Sequence, residues 1–370
     1  MWIYYIFVAL LLSLSLLRYM RFISEKAFCI IVCISFILIT GLRAYTVGLD
    51  TKNYYNLFIA FKHLPFADIF KNERDIGFYL LTWLIRHSLG SFTAFTLIIA
   101  VIFYIPLTLF IYRYSVDSTL SYLMLLAFGF FQFTMTGIRQ TAAFGIMFLF
   151  LCELFRSKKR IVRLIILFLI GCSFHQSFFI ILFYIPIILL SKRKYINYLF
   201  VPLIALFLIF SGPLLNNSLA LLHSVGFDVE SYKGSGAGIT TLALFILFVA
   251  LGLVCRAISK DRYKSVGYTA DDELSGDIAA TVPNEYTVIM MVATIIQIMV
   301  LFNSIFFRLT WYFSMIVIIY LPTLLKAFPL TKRSYYLVNS VTYVGVLLMY
   351  FLITMNSSGV VPYQFFWQVG

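Results

Sequence analysis

Residues 92–112, FTAFTLIIAVIFYIPLTLFIY, run for twenty-one positions without a charged residue. At ~1.5 Å per helical residue, such a run reaches across the ~30 Å hydrocarbon layer of a bilayer. Comparable apolar runs stand at 2–17, 27–42, 118–136, 137–155, 164–175, 177–190, 198–215, 239–255, 286–306, 309–325 and 335–355. Lipid cannot satisfy open backbone groups, so each run is read as a helix. The 370-residue chain is 62% hydrophobic and 12% charged, about half the charge of a soluble domain. That composition excludes a soluble enzyme, a disordered chain and a secreted disulfide scaffold. The predicted fold is an all-α polytopic membrane protein, one integral membrane domain over 1–370 with about 11–13 transmembrane helices. The run at 2–17 lacks a basic region before it and a small-residue cleavage site after it, so it reads as a first span rather than a signal peptide.

Charge sets the orientation. The net charge is +13, but the basic residues form short clusters between apolar runs instead of a stripe on a soluble face, so no nucleic-acid partner is expected. The clusters are Arg18, Arg21 and Lys26; Arg156, Lys158, Lys159, Arg160 and Arg163; Lys192, Arg193 and Lys194; Arg256, Lys260, Arg262 and Lys264; and Lys326, Lys332 and Arg333. All can lie on the cytoplasmic side at once. This places 256–285 in the cytoplasm, and 43–75, 216–238 and both chain ends outside. Between 43–75 and 156–163 the crossings must be odd in number, yet four runs are available. The short segment at 76–89 is the weakest and reads as a half-helix or surface helix. The alternative is that 53–70 dips into the membrane. The hairpin 164–190 is too short for two full spans, so two short helices meet near His175. Broken helices are tolerated where they line a cavity or water.

Ionisable groups at membrane depth are costly and mark candidate sites. Once the cytoplasmic clusters are set aside, Arg43, Arg139, His175 and Arg308 fall near the outer ends of helices. Each has a bland alternative: a snorkelling arginine for Arg43, a packed histidine for His175, an interfacial anchor in a short outer turn for Arg308. Arg139 opens a helix, where a cation opposes the helix dipole and a bound anion would relieve the conflict. In the first outer loop stand Asp50, Glu73 and Asp75. Asp50 lies four residues before Tyr54, a helical-neighbour spacing. Asp50 and Asp75 are equally placed to cap the helices that follow them. The five cysteines show no metal-ligand spacing, and neither metal nor cofactor is expected. Outer arginines suit a phosphorylated or pyrophosphorylated lipid, because the guanidinium fork holds phosphate oxygens bidentately. A nearby carboxylate or histidine can take a hydroxyl proton.

These same residues carry a family resemblance. GLRAYTVGLDTKNYYNLF, from Gly41, resembles the arginine followed by G-x-D-T-x-x-Y of the EpsG family of exopolysaccharide membrane proteins, which is grouped with the Wzy-type polymerases. DIGFYLLTWLI resembles the family's acidic-x-Gly-aromatic segment, with Asp75 where glutamate is usual and Glu73 as a substitute. GIRQTAAFG, with Arg139 and Gln140, resembles its I-R-Q-x-x-A helix start. FHQS at His175, FFRLTWYF with Arg308 and Tyr312, and VPYQFF near the C-terminus resemble later elements. The resemblance implies a fold like the C-type glycosyltransferases and a repeat-unit polymerase of the bacterial cytoplasmic membrane. Its substrate would be an oligosaccharide on undecaprenyl pyrophosphate, and its protein partners the chain-length regulator and flippase of the same pathway. Arg139 would then stabilise the leaving pyrophosphate, assisted by Arg43 or Arg308, with Gln140, Tyr54, Tyr312 and Glu73 as further substrate contacts. His175 and Asp50 are the leading base candidates, followed by Asp75.

Three rivals stand beside this reading. A lipid-linked oligosaccharide flippase would line the whole membrane depth with charge and often shows two similar halves, neither of which is evident. A membrane O-acyltransferase would need a buried inner histidine. A structural scaffold would leave the arginine–histidine set unexplained.

Overall fold

The computed structural model describes residues 2–71, 74–156, 158–193, 195–207, 238–266, 282–328, 330–356 and 359–369. The expected outer loop at 216–238 lies outside these residues except for Gly238, as do Glu73 and positions 267–281 of the expected cytoplasmic loop. The chain is an all-α membrane protein. Its helices are α1 (Trp2–Tyr19), α2 (Glu25–Gly41), α3 (Thr51–Ala60), α4 (Ile76–Ser88), α5 (Phe92–Tyr114), α6 (Ser118–Ala127), α7 (Phe130–Thr134), α8 (Ile138–Leu154), α9 (Ile161–Phe174), α10 (Tyr184–Ser191), α11 (Ile196–Phe207), α12 (Ile239–Val266), α13 (Asn284–Val300), α14 (Ile305–Ser314), α15 (Val317–Ala327) and α16 (Lys332–Asn356). Tight 3₁₀ turns follow α3 at Phe61–His63 and Phe66–Lys71 and precede α10 at Gln176–Phe183.

Among the described residues, four helices are long and apolar enough to cross a bilayer: Trp2–Tyr19, Phe92–Tyr114, Ile239–Ile258 and Arg333–Met355. A fifth span arises if Phe306–Ser314 and Val317–Ala327, bent by 43°, are taken as one. The remaining apolar helices are shorter. The expected run at 118–136 is broken at Phe128–Gly129 into α6 and α7, and the weak segment at 76–89 is the short helix α4.

The chain forms two compact units: residues 1–179 with 340–370, and residues 180–339. In the first, α5 packs against α2 and α8, and α9 packs against α8 and α4. Local signals start these helices. Ser24 Oγ accepts the Ala27 N–H at 3.2 Å, Ser91 Oγ accepts that of Ala94 at 3.3 Å, and Asp117 Oδ1 accepts that of Leu120 at 3.2 Å, each satisfying an N–H that has no partner within the helix. Between helices, the buried Tyr104 hydroxyl is shared with Thr40 Oγ1 at 3.0 Å and Thr134 Oγ1 at 2.9 Å. Polar links of this kind hold helices together where lipid removes the hydrophobic driving force. Residues Val341, Val344, Leu348, Leu352 and Met355 of α16 form an exposed apolar stripe at helical spacing, as a lipid-facing surface requires. In the second unit, α13 contacts α10, α12, α14 and α15. There the Tyr184 hydroxyl donates to the Tyr312 carbonyl at 2.6 Å, and the Tyr184 ring stacks on Phe313 with centroids 5.1 Å apart.

Candidate functional site

The site in the first unit is built where three short segments meet. Asp75 stands just before α4 with left-handed backbone angles, φ 56° and ψ 33°. It makes no side-chain cap to its own helix, so the capping expectation fails. Its carboxylate turns to two other elements instead. Oδ2 lies 2.8 Å from Nη1 of Arg139, and Oδ1 accepts the Gln176 backbone N–H at 3.0 Å. Asp75 is nearly buried, with 8% of its side chain exposed, whereas 37% of the Arg139 side chain is exposed. Burial pushes the Asp75 carboxyl above the usual carboxylate range, and the Arg139 charge and the Gln176 N–H pull against that rise.

Arg139 is the second residue of α8. The conflict between its charge and the helix dipole is relieved by Asp75, a resident anion. On its other side, Nε donates to the Tyr54 hydroxyl at 3.4 Å, and the guanidinium lies 5.9 Å from the centre of the Tyr54 ring. A cation so placed gains about 0.5–1 kcal/mol at an exposed site. Tyr54 reaches Arg139 because α3 starts at Thr51. Asp50 occupies the capping position there, but its side chain makes no cap bond, so the capping expectation fails for this residue too.

His175 follows the last residue of α9 with extended backbone, φ −155° and ψ 126°, and the chain resumes as a 3₁₀ turn at Gln176. The expected helix break is therefore present. The His175 ring is held locally: Nδ1 accepts the Ser177 backbone N–H at 3.1 Å and lies 2.8 Å from Ser177 Oγ. A backbone N–H only donates, so Nδ1 carries no proton when the ring is neutral and Nε2 carries it. In neutral His175 the proton-bearing nitrogen is thus Nε2. Gly77, on the first turn of α4, fixes how closely α4 approaches α9: a Cβ there would lie 2.3 Å from Ser173 Oγ and 3.1 Å from the Ser173 carbonyl carbon.

The structure brings together Asp75, Arg139, Tyr54 and the 175–177 turn. The other candidates have surroundings of their own. Arg43 is buried, with 2% exposed, and donates from Nη1 to the Thr40 carbonyl and from Nη2 to the Met135 carbonyl at 3.3 Å. Gln140 is buried beside Arg139 in the chain. Arg308 belongs to the second unit; it is exposed on α14 rather than in the expected outer turn, because the helix has already begun at Ile305. Tyr312, in the same helix, is fully buried. Sequence reasoning passed over Ser177 as a separate residue, although its i, i+2 spacing from His175 was visible in FHQS. The Gln176 N–H leaves no trace in side-chain identity. Among the described residues no three metal-ligating side chains converge.

The fold and these residues define a class: a polytopic membrane protein with a paired arginine and carboxylate at the ends of short helices. The sequence profile of the EpsG family matches residues 26–365, and the chain belongs to that family. Membership carries an exopolysaccharide-polymerase role of glycosyltransferase type. No curated protein and no solved structure matches the chain.

Proposed function

We propose that the protein joins oligosaccharide repeat units carried on undecaprenyl pyrophosphate, at the outer face of the bacterial cytoplasmic membrane. The growing chain passes from its lipid pyrophosphate to a hydroxyl at the non-reducing end of a new lipid-linked unit. The observation that supports this reading is the Asp75–Arg139 pair, a desolvated carboxylate beside a partly exposed arginine. In the reaction, the acceptor hydroxyl oxygen attacks the anomeric carbon of the donor chain. The bond from that carbon to the pyrophosphate oxygen breaks, and its electron pair stays on the phosphate. The hydroxyl proton passes to a base.

Asp75 is assigned as the base, because burial favours its taking a proton. Arg139 is assigned to the departing pyrophosphate, whose growing charge a fixed cation stabilises most in the transition state. His175 supplies a second donor through Nε2–H. Tyr54 orients Arg139. Arg308 is kept as a further candidate contact for an anionic substrate, and Asp50 as a second carboxylate on the same loop as Arg43.

Purified protein supplied with lipid-linked repeat units tests the reading. Long glycan and free undecaprenyl pyrophosphate are expected from the wild-type chain, and neither from Arg139→Ala at equal protein level. Arg139→Lys should recover little, since one ammonium does not reproduce the guanidinium fork. Movement of lipid-linked units across a vesicle without polymer formation would overturn the proposal in favour of a flippase.

A further inference from the structure

One backbone carbonyl gathers the elements that frame the site. The Met135 oxygen accepts Thr51 Oγ1 at 2.7 Å and Arg43 Nη2 at 3.3 Å. Both donors are buried, Thr51 completely. Each belongs to a different end of the loop between α2 and α3. Met135 heads the turn that launches α8, four residues before Arg139. Thr51 opens α3, three residues before Tyr54, which touches Arg139 from the side away from Asp75. Gly48 makes the convergence possible: its φ is +107°, and a Cβ there would lie 2.1 Å from the Met135 oxygen and 2.4 Å from Thr51 Oγ1.

The C-terminal segment closes over the same point. The Ala44 N–H donates to the Gln364 carbonyl at 2.8 Å, and the Phe366 N–H to the Leu42 carbonyl at 2.9 Å, a short antiparallel bridge across Arg43. The Tyr363 hydroxyl donates to the Ile39 carbonyl at 2.6 Å. Among ion pairs between described residues none includes Arg43. Its two terminal nitrogens are engaged by carbonyls, and its Nε is buried without a hydrogen-bond partner among the described residues. An arginine in that state is built into the scaffold rather than open to a ligand.

We propose that Arg43 is a positioning residue: together with Thr51 it holds the Met135 carbonyl, and through the turn at 135–137 it sets Arg139 against Asp75 and Tyr54. This replaces the expectation of a direct anion contact, and it rests on the proposed role of Arg139. A displacement of ~1 Å at a reacting group costs on the order of 100-fold in rate, so a buried hydrogen bond at a launching turn is enough to matter.

Thr51→Val tests the idea, because it removes one hydrogen bond to Met135 without touching charge. Chain extension should slow about 10–100-fold in kcat, with KM for the lipid-linked donor unchanged. Thr51→Ser should retain the wild-type rate. Arg43→Lys should slow kcat likewise, and the double variant should fall short of the product of the two single effects, as for residues sharing one partner. A raised KM in Arg43→Lys with a normal rate in Thr51→Val would overturn the proposal and restore Arg43 as an anion ligand. A second readout is independent of polymerase activity. A cysteine at Thr136, introduced after replacing the five native cysteines, should react several-fold faster with a thiol reagent in the Thr51→Val and Arg43→Lys backgrounds. Unchanged reactivity in both would sink the hub. Faster labelling with an unchanged kcat would show that the turn does not govern Arg139.

Discussion

The Asp75 carboxylate and the Arg139 guanidinium meet at 2.8 Å across sixty-four positions of chain. The second oxygen of the same carboxylate takes the Gln176 N–H, so one side chain ties the start of α4 to the start of α8 and to the turn beyond α9. An anion that binds Arg139 must share it with Asp75 or displace Asp75 from it. Displacement would leave the carboxylate with one hydrogen-bond donor and less positive charge nearby. Both changes make it a better proton acceptor. On the proposed reading, donor arrival and base activation are therefore linked through this pair.

Asp75→Asn should abolish chain extension while lipid-linked units accumulate, because an amide keeps the shape but takes no proton at working pH. Asp75→Glu should keep a reduced rate. The wild-type rate should rise with pH as the carboxylate ionises. Burial raises its proton affinity in the protein, so the acid limb should have its midpoint above the ~4 of a free carboxyl. A pH–rate profile of the purified enzyme measures this. Full activity in Asp75→Asn would remove the residue from the proton step.

The orientation read from the basic clusters gives a second expectation. Lys159 and Lys52 are both exposed, and they lie in segments assigned to opposite sides of the membrane. A cysteine at position 52 should react with an impermeant reagent in intact cells, and one at position 159 only after the membrane is opened. The reverse pattern would move the Arg139 site to the cytoplasmic face and with it the proposed reaction.

Much of this architecture is legible in the chain. Apolar length and charge segregation define a polytopic helical protein. The too-short hairpin locates the helix break at His175, whereas the helix start at Arg139 reads as a place for a bound anion and the anion found there is the protein's own Asp75. The identity of that anion is hidden, because nothing local to Asp75 says that its backbone is left-handed and its carboxylate faces away from its own helix. Capping is the local expectation for Asp50 and Asp75; neither side chain makes the cap bond, and for Asp75 the tertiary contacts to Arg139 and Gln176 take its place. Hydropathy is equally blind to the break between α6 and α7, since Phe128 and Gly129 interrupt the helix without interrupting the apolar run. Arg43 shows the limit of residue type as evidence: a costly buried cation marks an important position, and only the geometry distinguishes a ligand from a scaffold part.

The approach of α4 to α9 supplies a third expectation. Gly77→Ala places a methyl group against Ser173, in contact with backbone as well as side chain. Overpacking of this kind costs about 1–3 kcal/mol, and here it would also draw Asp75 away from the Gln176 N–H. Thermal unfolding in detergent should shift downward and polymer yield should fall. Adding Ser173→Ala removes the closest contact and should recover part of both losses. Unaltered stability in Gly77→Ala would show that the two helices yield without consequence.

The last expectation concerns the histidine, where two roles lead to opposite results. A base must present an unprotonated nitrogen to the acceptor hydroxyl. In this structure the unprotonated nitrogen of neutral His175 is Nδ1, and it is already occupied by Ser177. What the ring can offer is the Nε2 proton, a donor suited to a phosphate oxygen. Glutamine carries an N–H donor at a similar reach and has no proton-accepting nitrogen at neutral pH. His175→Gln should therefore keep a substantial fraction of chain extension, and His175→Ala should lose it. Removing the acceptor's local partner with Ser177→Ala should lower activity modestly, since the Ser177 backbone N–H still holds Nδ1. Rates measured with lipid-linked units separate the cases. If glutamine is as inactive as alanine, while Asp75→Asn still extends chains, the histidine is the base after all and the ring must turn to expose Nδ1 during the reaction.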